Sequence, residues 1–249
     1  MNLKALILAG GRGKRLENVT SEINKCMLSL QGNSLISYSL ENASRANVSE
    51  IVIVVGYRAE DIINHIGIRY KDTRIKYVIQ REQKGIVHAI ECARETIDGS
   101  DFMTFLGDEI LVKPRHREMM ELFYSEHAFV VCGVTKARQN SDISKTYAII
   151  QDNTSTVYRL IEKPRKPLND IMGTGNCIFK NEIYDYIPYT PINHNRGEKE
   201  LVDMIQCAID EGRVVRSFSI GSGYININTE EDLAAVEELF QELGKGGAR

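Results

Sequence analysis

Residues 3–16 read LKALILAGGRGKRL, a mostly apolar run that ends in the glycine-rich segment GGRG (10–13) and the basic pair KR (14–15). A short run that is apolar on both faces is typical of a strand buried inside a parallel sheet. In open α/β sheets, ligands bind at the carboxyl edge, just beyond the end of such a strand. The stretch therefore predicts a first β-strand at 3–9 followed by a ligand-binding loop.

The same strand pattern recurs three times in the first half of the chain, and apolar residues at helical spacing lie between the strands. The predicted strands are 51–55, 75–79 and 102–106, and the predicted helices are 34–46, 59–66 and 86–97. Alternation of strands and helices through residue 110 predicts a doubly wound sheet with right-handed crossovers.

Beyond residue 110 the chain is richer in β-structure. Thr229 and Asp232 have the spacing of a capping box at the start of a last helix. The predicted strands are 128–134, 147–151, 157–162, 176–180, 214–220 and 224–227, and the predicted helices are 182–187, 198–211 and 230–243.

These elements predict one α/β domain over residues 1–243, with a mixed, mainly parallel central sheet flanked by helices. The half at 1–110 would bind a ligand at the glycine loop, and the β-rich half at 111–243 would complete the site. The tail at 244–249 is expected to be flexible.

Composition and charge exclude several classes of protein. The 249 residues are 43% hydrophobic and 26% charged, with a formal net charge of -3, so neither nucleic-acid nor membrane binding is expected. The five cysteines lie at least 30 positions apart, which predicts neither a disulfide framework nor a zinc site. The apolar run at 3–9 is too short for a signal segment or a spanning helix. We expect a cytoplasmic protein that binds a small anion.

The glycine loop has the composition of a phosphate-binding site. Glycine lets backbone N–H groups approach an anion closely, and Arg12, Lys14 and Arg15 would add charge-assisted donors. The dinucleotide-binding fingerprint is excluded because it requires glycine where Leu16 stands, and no frame of 10–15 fits the P-loop spacing. A glycine turn with solvated basic neighbours is the alternative that the motif alone leaves open.

The segment LILAGGRGKRL, followed by Lys25, resembles the signature of the sugar-phosphate nucleotidyltransferases, the group of glucose-1-phosphate thymidylyl- and uridylyltransferases. Those enzymes join a nucleoside triphosphate to a sugar 1-phosphate and release pyrophosphate. The similarity covers about residues 3–240 and implies a single Rossmann-like (GT-A-like) domain. Further motifs follow in the order of the family, namely Gln80 and Gly85, Gly107-Asp108, Glu162-Lys163-Pro164, Gly175, RGEKELVDMIQ and YININTEEDL.

The resemblance implies that the first loop binds the nucleotide. Arg15 would stabilise the leaving β- and γ-phosphates, and Lys25 would reach the α-phosphate. Both substrates are anionic, so cations at these positions would offset their repulsion. Taken alone, Lys25 also fits a solvated surface lysine. The implied contacts of the triphosphate are Leu8, Ala9, Gly10, Gly11, Arg12 and Gly13.

Gln80 and Gly85 are the implied contacts of the base. An amide can both donate and accept a hydrogen bond, which suits the edge of uracil or thymine, and glycine would let the base lie against backbone. Without the resemblance, Gln80 could equally end a strand and Gly85 could open a helix.

The implied contacts of the acceptor are Tyr147, Glu162, Lys163 and Gly175. The glutamate would accept hydrogen bonds from sugar hydroxyls, and the lysine would bind the sugar phosphate. An exposed ion pair at the end of a strand is the alternative for Glu162 and Lys163.

Asp108 follows a buried strand and a glycine, a position from which its carboxylate could hold Mg²⁺ between the two substrates. A helix cap is the alternative for an aspartate at that place. The resemblance implies Mg²⁺ as the cofactor, with a second carboxylate from the terminal strand. Asn226 occupies the second position, and an amide oxygen binds the ion without charge.

Three other positions depart from the family pattern, all on the acceptor side. Ala148 stands where glycine is usual, and its methyl group would crowd a hexose. Gly173-Thr174-Gly175 stands where the sugar-binding Asn-x-Gly is usual, so Gly173 leaves this stretch without its amide, and Glu109 follows Asp108 where asparagine is frequent. We infer an altered or unusual phosphorylated acceptor.

The resulting prediction is a nucleotidyltransferase that moves a nucleotidyl group from dTTP or UTP to a sugar 1-phosphate or similar phosphorylated acceptor by direct displacement. CTP and GTP remain open. So does a non-catalytic regulatory protein that binds a nucleotide or an NDP-sugar and has lost the second metal carboxylate. The resemblance also implies a homo-oligomer, with no nucleic acid or membrane as a partner.

Overall fold

A ten-stranded mixed sheet forms the centre of the computed structural model, which describes residues 3–13, 16 and 23–246. Shorter two-stranded pieces lie beside it. The strands are β1 (Leu3–Ala9), β2 (Ser29–Leu30), β3 (Asn33–Ser34), β4 (Glu50–Val55), β5 (Arg69–Tyr70), β6 (Thr73–Ile79), β7 (Asp101–Leu106), β8 (Glu109–Val112), β9 (Val130–Lys136), β10 (Tyr147–Gln151), β11 (Val157–Glu162), β12 (Ile171–Phe179), β13 (Ile192–Asn193), β14 (Glu198–Lys199), β15 (Val215–Ser219) and β16 (Gly223–Asn226).

Helices cover both faces of the sheet, so the predicted α/β fold is confirmed. Over the described residues, no helix is both long and apolar enough to span a membrane. The helices are α1 (Leu35–Arg45), α2 (Ala59–Ile66), α3 (Gly85–Cys92), α4 (Arg94–Ile97), α5 (His116–Ser125), α6 (Asn140–Ile143), α7 (Leu201–Asp210) and α8 (Glu230–Gly246), with short 3-10 helices at Lys25–Met27 and Asn181–Tyr186.

The sheet runs in the order β11-β10-β12-β7-β1-β4-β6-β5, and β9 joins β12 and carries β15. Strands β7, β1, β4 and β6 are parallel, whereas β12, β10 and β11 are antiparallel. Because the carboxyl ends of parallel strands meet at one edge, the residues that follow them lie near one another. These residues are Gly10, Gly56, Gln80 and Gly107.

Residues of β1 alternate between two apolar cores, one on each face of the sheet. Leu6 and Leu8 pack in the core that contains α3 and α7, whereas Ile7 and Ala9 pack in the core that contains α1, α2 and α5. Successive side chains of a strand point to opposite faces, so a strand covered on both faces has to be apolar throughout. This is why the opening run of the chain shows no polar alternation.

Strand β12 contains a β-bulge or similar irregularity in its pairing. Its pairing with β9 shifts register between Gly173 and Cys177. Such bulges re-aim residues and are frequent next to active sites. Here the bulge turns the Gly175 N–H toward β8, and a Cβ on Gly175 would lie 2.3 Å from Cγ of Leu106. The position therefore requires glycine for packing.

Three predicted helices differ in detail from the structure. The helix expected at 198–211 begins at Leu201, because Glu198 and Lys199 form β14 and pair with β13. Pairing within this short hairpin has overridden the local helical pattern at this point. The helix expected at 86–97 is divided at Ala93, and the helix expected at 182–187 is a 3-10 helix.

Two of the elements that the sequence-based prediction missed shape the site and the core. Strand β8 pairs with β16, with Glu109 opposite Asn226. A strand of four residues whose partner lies so far along the chain leaves little local signal. Helix α5 buries Met119 and Phe123 in the core that contains Ile7. The amphipathic pattern of this helix is present in the sequence, so local periodicity is sufficient to predict it.

The capping box predicted at the last helix is confirmed. The Thr229 backbone N–H donates to Oδ2 of Asp232 at 3.0 Å, and the Asp232 N–H donates to Oγ1 of Thr229 at 3.2 Å. The helix continues to Gly246, beyond the predicted end at 243. Residues 247–249 lie outside the described part of the chain, so the flexibility of the tail stays a prediction.

Candidate active site

A cleft of about 540 Å³ opens at the carboxyl edge of the parallel strands. Both halves of the chain contribute to its walls, so residues from nearly the whole length of the sequence share one cavity. The predicted site residues that line it are Leu8, Ala9, Gly10, Gly11, Gly13, Lys25, Gln80, Gly85, Asp108, Tyr147, Glu162, Lys163, Gly175 and Asn226.

Close backbone packing positions the glycine loop. A Cβ added to Gly56 would lie 2.6 Å from the carbonyl oxygen of Gly10, and a Cβ on Gly10 would lie 2.8 Å from Oε1 of Gln80. Gly13 has a φ of +67°, in the left-handed region that favours glycine. A Cβ on Gly11 would have no atom of the described residues within 4 Å. Packing among those residues therefore does not require glycine at position 11 and leaves space for a ligand there.

The two predicted arginines of this loop differ in what the structure describes. The Arg12 guanidinium lies 5.2 Å from the ring centroid of Tyr57, in a cation–π contact, and Arg12 is not among the residues that line the cleft. Its role in triphosphate binding stays a prediction. Arg15 lies outside the described residues, so its predicted role also remains a prediction.

Lys25 is buried and lies in the short 3-10 helix that follows Asn24. The Asn24 amide donates to the Tyr57 carbonyl at 2.6 Å and so ties this helix to the end of β4. Lys25 Nζ donates to Oδ2 of Asp108 at 2.5 Å and to Oδ1 of Asn228 at 3.2 Å. The alternative of a solvated surface lysine is therefore excluded.

Gln80 is buried at the end of β6, and two partners orient its amide. Nε2 donates to the Gly85 carbonyl at 3.2 Å and lies 3.0 Å from Nδ1 of His88. A carbonyl can only accept, so the Gly85 contact assigns the NH₂ group to that side. Oε1 is left beside the glycine loop. Gln80 thus ends a strand and Gly85 opens a helix, and both also line the cleft.

Glu109 is a buried acid that the sequence indicated only as a departure from the family. Its carboxylate accepts hydrogen bonds from the Gly175 N–H at 2.9 Å, the Asn176 amide at 2.8 Å and the Tyr224 hydroxyl at 2.5 Å. Burial raises the pKa of Glu109 to about 8, against the opposing effects of Tyr224 and Gly175. This network joins β8, β12 and β16 at the wall of the cleft where the acceptor is predicted to bind.

Tyr147 lines the cleft, but its hydroxyl points into the protein. The hydroxyl donates to the Thr174 carbonyl at 2.9 Å, and a Cβ on Gly173 would lie 2.0 Å from the ring. Ala148 packs with Met172 in a separate small apolar cluster and is not among the lining residues. This placement does not support the expectation that its methyl group crowds a sugar.

Glu162 is the centre of an ion-pair group on the acceptor side. Its Oε1 lies 3.1 Å from Nζ of Lys163 and 3.5 Å from Nη1 of Arg196, which also lies 3.0 Å from Oε1 of Glu200. Burial raises the pKa of the Glu162 carboxyl, and Lys163 opposes that rise. Lys163 has a φ of +42°, a strained value of the kind that clusters at functional sites.

Several polar residues of the cleft are absent from the predicted site. Arg196, Glu198 and Glu200 belong to the matched segment RGEKELVDMIQ, where charged residues before the helix were the available signal. Lys145 and Thr146 precede Tyr147 without any informative spacing. The additional polar lining residues are Gln83, Glu109, Lys145, Thr146, Thr174, Arg196, Glu198, Glu200, Tyr224 and Asn228.

Asp108 is the one predicted metal ligand that carries a full charge. Among the described residues, no group of three or more His, Cys, Asp or Glu side chains could hold a metal ion. Asp108 and Asn226 nevertheless carry hard oxygen atoms and line the same cleft. Mg²⁺ is commonly bound through one or two carboxylates together with substrate phosphates. Asp108, the charged member of the pair, therefore fits an ion that arrives with a nucleotide better than one caged by protein alone.

A family model provides independent evidence for the class of protein. The model described as nucleotidyl transferase matches residues 4–239, which include every segment of the cleft. This chain belongs to the nucleotidyl transferase family. Its relatives place it among the sugar-phosphate nucleotidyltransferases, so the family and the enzyme class indicated by the sequence motifs are confirmed.

Two curated relatives illustrate the similarity. The UTP–glucose-1-phosphate uridylyltransferase AglF of Haloferax volcanii is 30% identical over 247 residues, covering 96% of this chain and 97% of that protein. A glucose-1-phosphate thymidylyltransferase of Streptomyces griseus is 28% identical over 243 residues, covering 96% of this chain and 66% of that protein. The chain thus matches one relative along its full length and spans only part of the other.

Solved structures agree on the fold. A UDP-glucose pyrophosphorylase complexed with UDP-glucose superimposes with a TM-score of 0.87 at 19% identity, covering 97% of this chain and 99% of that one. A UTP-bound UGPase from Acinetobacter baumannii superimposes with a TM-score of 0.80 at 17% identity, covering 96% of this chain and 93% of that one. At such identities the likeness shows the architecture alone.

Proposed function

We propose that this protein transfers a nucleotidyl group from UTP or dTTP to a sugar 1-phosphate or a similar phosphorylated acceptor, forming an NDP-sugar and releasing pyrophosphate. The observation that carries the proposal is the ion pair between buried Lys25 and half-buried Asp108. Lys25 packs against Gly13 of the glycine loop, and Asp108 precedes Glu109, which binds Gly175 on the acceptor side. The pair therefore stands where the two substrates would meet.

The nucleotide side supports triphosphate binding. The loop at 10–13 follows β1, and the absence of a side chain at Gly11 lets an anion approach the backbone N–H groups. Lys25 would place an ammonium group beside the phosphates and offset the repulsion between two anionic substrates. Lys25 and Asp108 would thereby favour an in-line approach of the acceptor phosphate to the α-phosphate.

The orientation of Gln80 supports a uracil or thymine base. Its NH₂ group is engaged by Gly85, so Oε1 is the group available to a ligand. The N3–H of uracil or thymine is a donor that pairs with such an oxygen, whereas the unprotonated N3 of cytosine is not. The names of the curated relatives specify uridylyl and thymidylyl transfer, which supports the same choice.

The acceptor side supports a phosphorylated sugar. Glu162 can accept hydrogen bonds from hydroxyl groups, and Lys163 can bind the phosphate as a mobile point charge. Arg196, which pairs with Glu162 and Glu200, adds a planar donor suited to a phosphate. The departures at Gly173 and Glu109 lie on this side, and they motivate the proposal that the acceptor differs from plain glucose 1-phosphate.

We also propose Mg²⁺ as the cofactor, held by Asp108 together with phosphate oxygens of the nucleotide. When bound, the ion supplies neutralisation of phosphate charge near the α-phosphate. Lys25 would hold the Asp108 carboxylate in position before substrates bind, because its ammonium contacts Oδ2 directly. Glu109 is engaged by three donors and would orient the Gly175 backbone on the acceptor side.

Pyrophosphate release tests this proposal. UTP, dTTP, CTP and GTP are each combined with glucose 1-phosphate, other sugar 1-phosphates and simple phosphomonoesters in the presence of Mg²⁺. We expect turnover with UTP or dTTP, and near-complete loss of turnover in Asp108→Asn. The matched control is Asp72→Asn, which changes an exposed aspartate between β5 and β6 and should retain full activity.

Two results would contradict parts of the proposal. Nucleotide binding without pyrophosphate release for any pair of substrates would establish the alternative, a non-catalytic regulatory protein. Turnover that is fastest with glucose 1-phosphate would leave the reaction intact and refute the altered acceptor.

A further inference from the structure

Three polar side chains in the cleft form a chain of hydrogen bonds that runs in one direction. Lys25 Nζ donates to Oδ1 of Asn228 at 3.2 Å, and Nδ2 of Asn228 donates to Oδ1 of Asn226 at 3.0 Å. All three residues line the cleft. The chain thus starts at the buried ammonium group and ends at the last residue of β16.

The direction of these bonds follows from the chemistry of Lys25. An ammonium group has three donors and no acceptor, so the Asn228 atom that faces it has to be the carbonyl oxygen. The NH₂ group of Asn228 then faces Asn226, and the Asn226 atom that receives it has to be an oxygen. Reversing either amide would place a donor against a donor.

The first two members of the hydrogen-bond chain, Lys25 and Asn228, are anchored by further contacts. The backbone N–H groups of Asn228 and Thr229 donate to Oδ2 of Asp232, at 2.9 and 3.0 Å, at the start of α8. Lys25 is held at the other end by Asp108. The arrangement therefore does not depend on freely rotating surface side chains.

The consequence concerns Asn226, which occupies the position where the family resemblance implies a metal-binding carboxylate. Its side-chain oxygen already accepts a bond from Asn228, which leaves that neutral oxygen a single lone pair. Its NH₂ group provides two donors, so the amide in this orientation suits an anion better than a cation.

We propose that Asn226 donates an amide N–H to a phosphate oxygen of the bound nucleotide or NDP-sugar, and that it is not a metal ligand. The positive charge of Lys25 polarises the hydrogen-bond chain and strengthens Asn226 as a donor. A phosphate in the cleft would therefore contact a neutral donor at position 226, whereas a carboxylate at that position would repel it. This assignment rests on the proposed function, because it requires a phosphate in this cleft.

Calorimetric titration with UDP-glucose and dTDP-glucose tests the assignment, in EDTA and again in Mg²⁺. Asn226→Asp exchanges the donor for a carboxylate of the same size. In EDTA we expect the variant to bind at least about tenfold more weakly than wild type, because it loses a hydrogen bond and gains a like charge. In Mg²⁺ most of that loss should be recovered, because the new carboxylate can bind the ion.

Direct metal binding provides a second readout that does not depend on catalysis. Electron paramagnetic resonance of Mn²⁺, in the absence of nucleotide, should show tighter binding to Asn226→Asp than to wild type, because the variant adds a charged oxygen ligand. Asn226→Ala removes the donor without adding charge. It should weaken NDP-sugar binding by about threefold to tenfold, with or without Mg²⁺.

Asn153→Asp is the matched control. It makes the same charge change in an exposed turn at the end of the β10–β11 hairpin away from the cleft, and it should bind as wild type does. If wild type binds NDP-sugar and Asn226→Asp binds it equally well in EDTA, this assignment is overturned and the proposed function is not. The assignment is also overturned if wild type binds Mn²⁺ as tightly as the variant does. Failure of wild type to bind either NDP-sugar overturns the proposed function and this assignment together.

Discussion

The proposed nucleotide side of the cleft, around the glycine loop at 10–13, and its proposed acceptor side, around Glu109 and Glu162, differ in how they are built. On the nucleotide side, backbone atoms of Gly10 and Gly56 pack directly against each other at the ends of parallel strands. On the acceptor side, a buried network of side chains surrounds Glu109 and joins β8, β12 and β16. A surface made of backbone depends on a few positions that have no side chain. A surface made of side chains depends on every partner, so one substitution can alter which ligand fits.

Lys25 and Asp108 connect these two sides. The alkyl chain of Lys25 packs beside Gly13, and Asp108, the partner of its ammonium group, is adjacent in sequence to Glu109. A change at this pair should therefore affect both substrates at once, whereas changes on either side should affect one property at a time.

The largest effect is expected for Lys25→Met. It removes the ammonium group and leaves the Asp108 carboxylate partly buried without its partner, so kcat/KM for pyrophosphate release should fall by about 1000-fold. The KM values for nucleotide and acceptor should both rise, which steady-state kinetics with each substrate varied in turn would show.

The control for that change is Lys71→Met. Lys71 pairs with Glu41 on the protein surface, where ion pairs contribute about 0.5 kcal/mol, so activity should be retained. A Lys25→Met enzyme within tenfold of wild-type activity, a threshold of about 1.4 kcal/mol, would show that the pair does not connect the two sides.

A smaller effect is expected in the pH dependence of the free energy of unfolding, to which Glu109 contributes. Burial raises its pKa in the folded protein from 4.5 to about 8, so the folded state retains a proton that the unfolded state releases. The stability that this group contributes is complete below about pH 4.5 and is lost as the pH rises through about 8. Glu109→Gln has no such titration.

Urea unfolding of wild type and Glu109→Gln from about pH 5 to about pH 9 measures this difference. Wild type should lose on the order of a few kcal/mol relative to the variant over that range. Glu41→Gln is the control: the Lys71 hydrogen bond lowers the Glu41 pKa, so its contribution is lost on acidification instead. Parallel curves for wild type and Glu109→Gln would show that the acceptor-side carboxyl is already ionised.

The smallest expected effect is a difference in stability between alanine substitutions at two neighbouring glycines, Gly10 and Gly11. In Gly10→Ala the new methyl group would contact Oε1 of Gln80, and such overpacking should cost about 1–3 kcal/mol of stability. In Gly11→Ala the methyl group meets no atom in the part of the chain that the structure describes, so stability should change by no more than about 0.5 kcal/mol. Thermal unfolding measures both changes.

Titration with UTP completes the comparison. Both variants should bind it more weakly, Gly11→Ala by about threefold to tenfold, because the methyl group would occupy space that a phosphate needs. Gly11→Ala with unchanged UTP affinity would place the phosphates away from this residue and would contradict the backbone cradle.

Most of the fold and of the nucleotide side could be predicted because their signals are local. The apolar runs at 3–9 and 51–55 predict strands covered on both faces, and a glycine loop after the first strand indicates the ligand-binding edge of the sheet. The acceptor side was less predictable. Glu109 was noted only as a departure, and Arg196 and Tyr224 were not identified, because their roles depend on partners distant in the sequence.

The sequence by itself determined the strands, the loop that follows the first of them and the family to which the chain belongs, because periodicity and glycine placement are properties of short segments. Only the tertiary structure decided the direction in which Asn226 presents its amide. That direction depends on Lys25 and Asn228, which are 203 positions apart and share a hydrogen bond only after the sheet has formed. A hydrogen bond has a donor and an acceptor, and its direction is defined once both are in place.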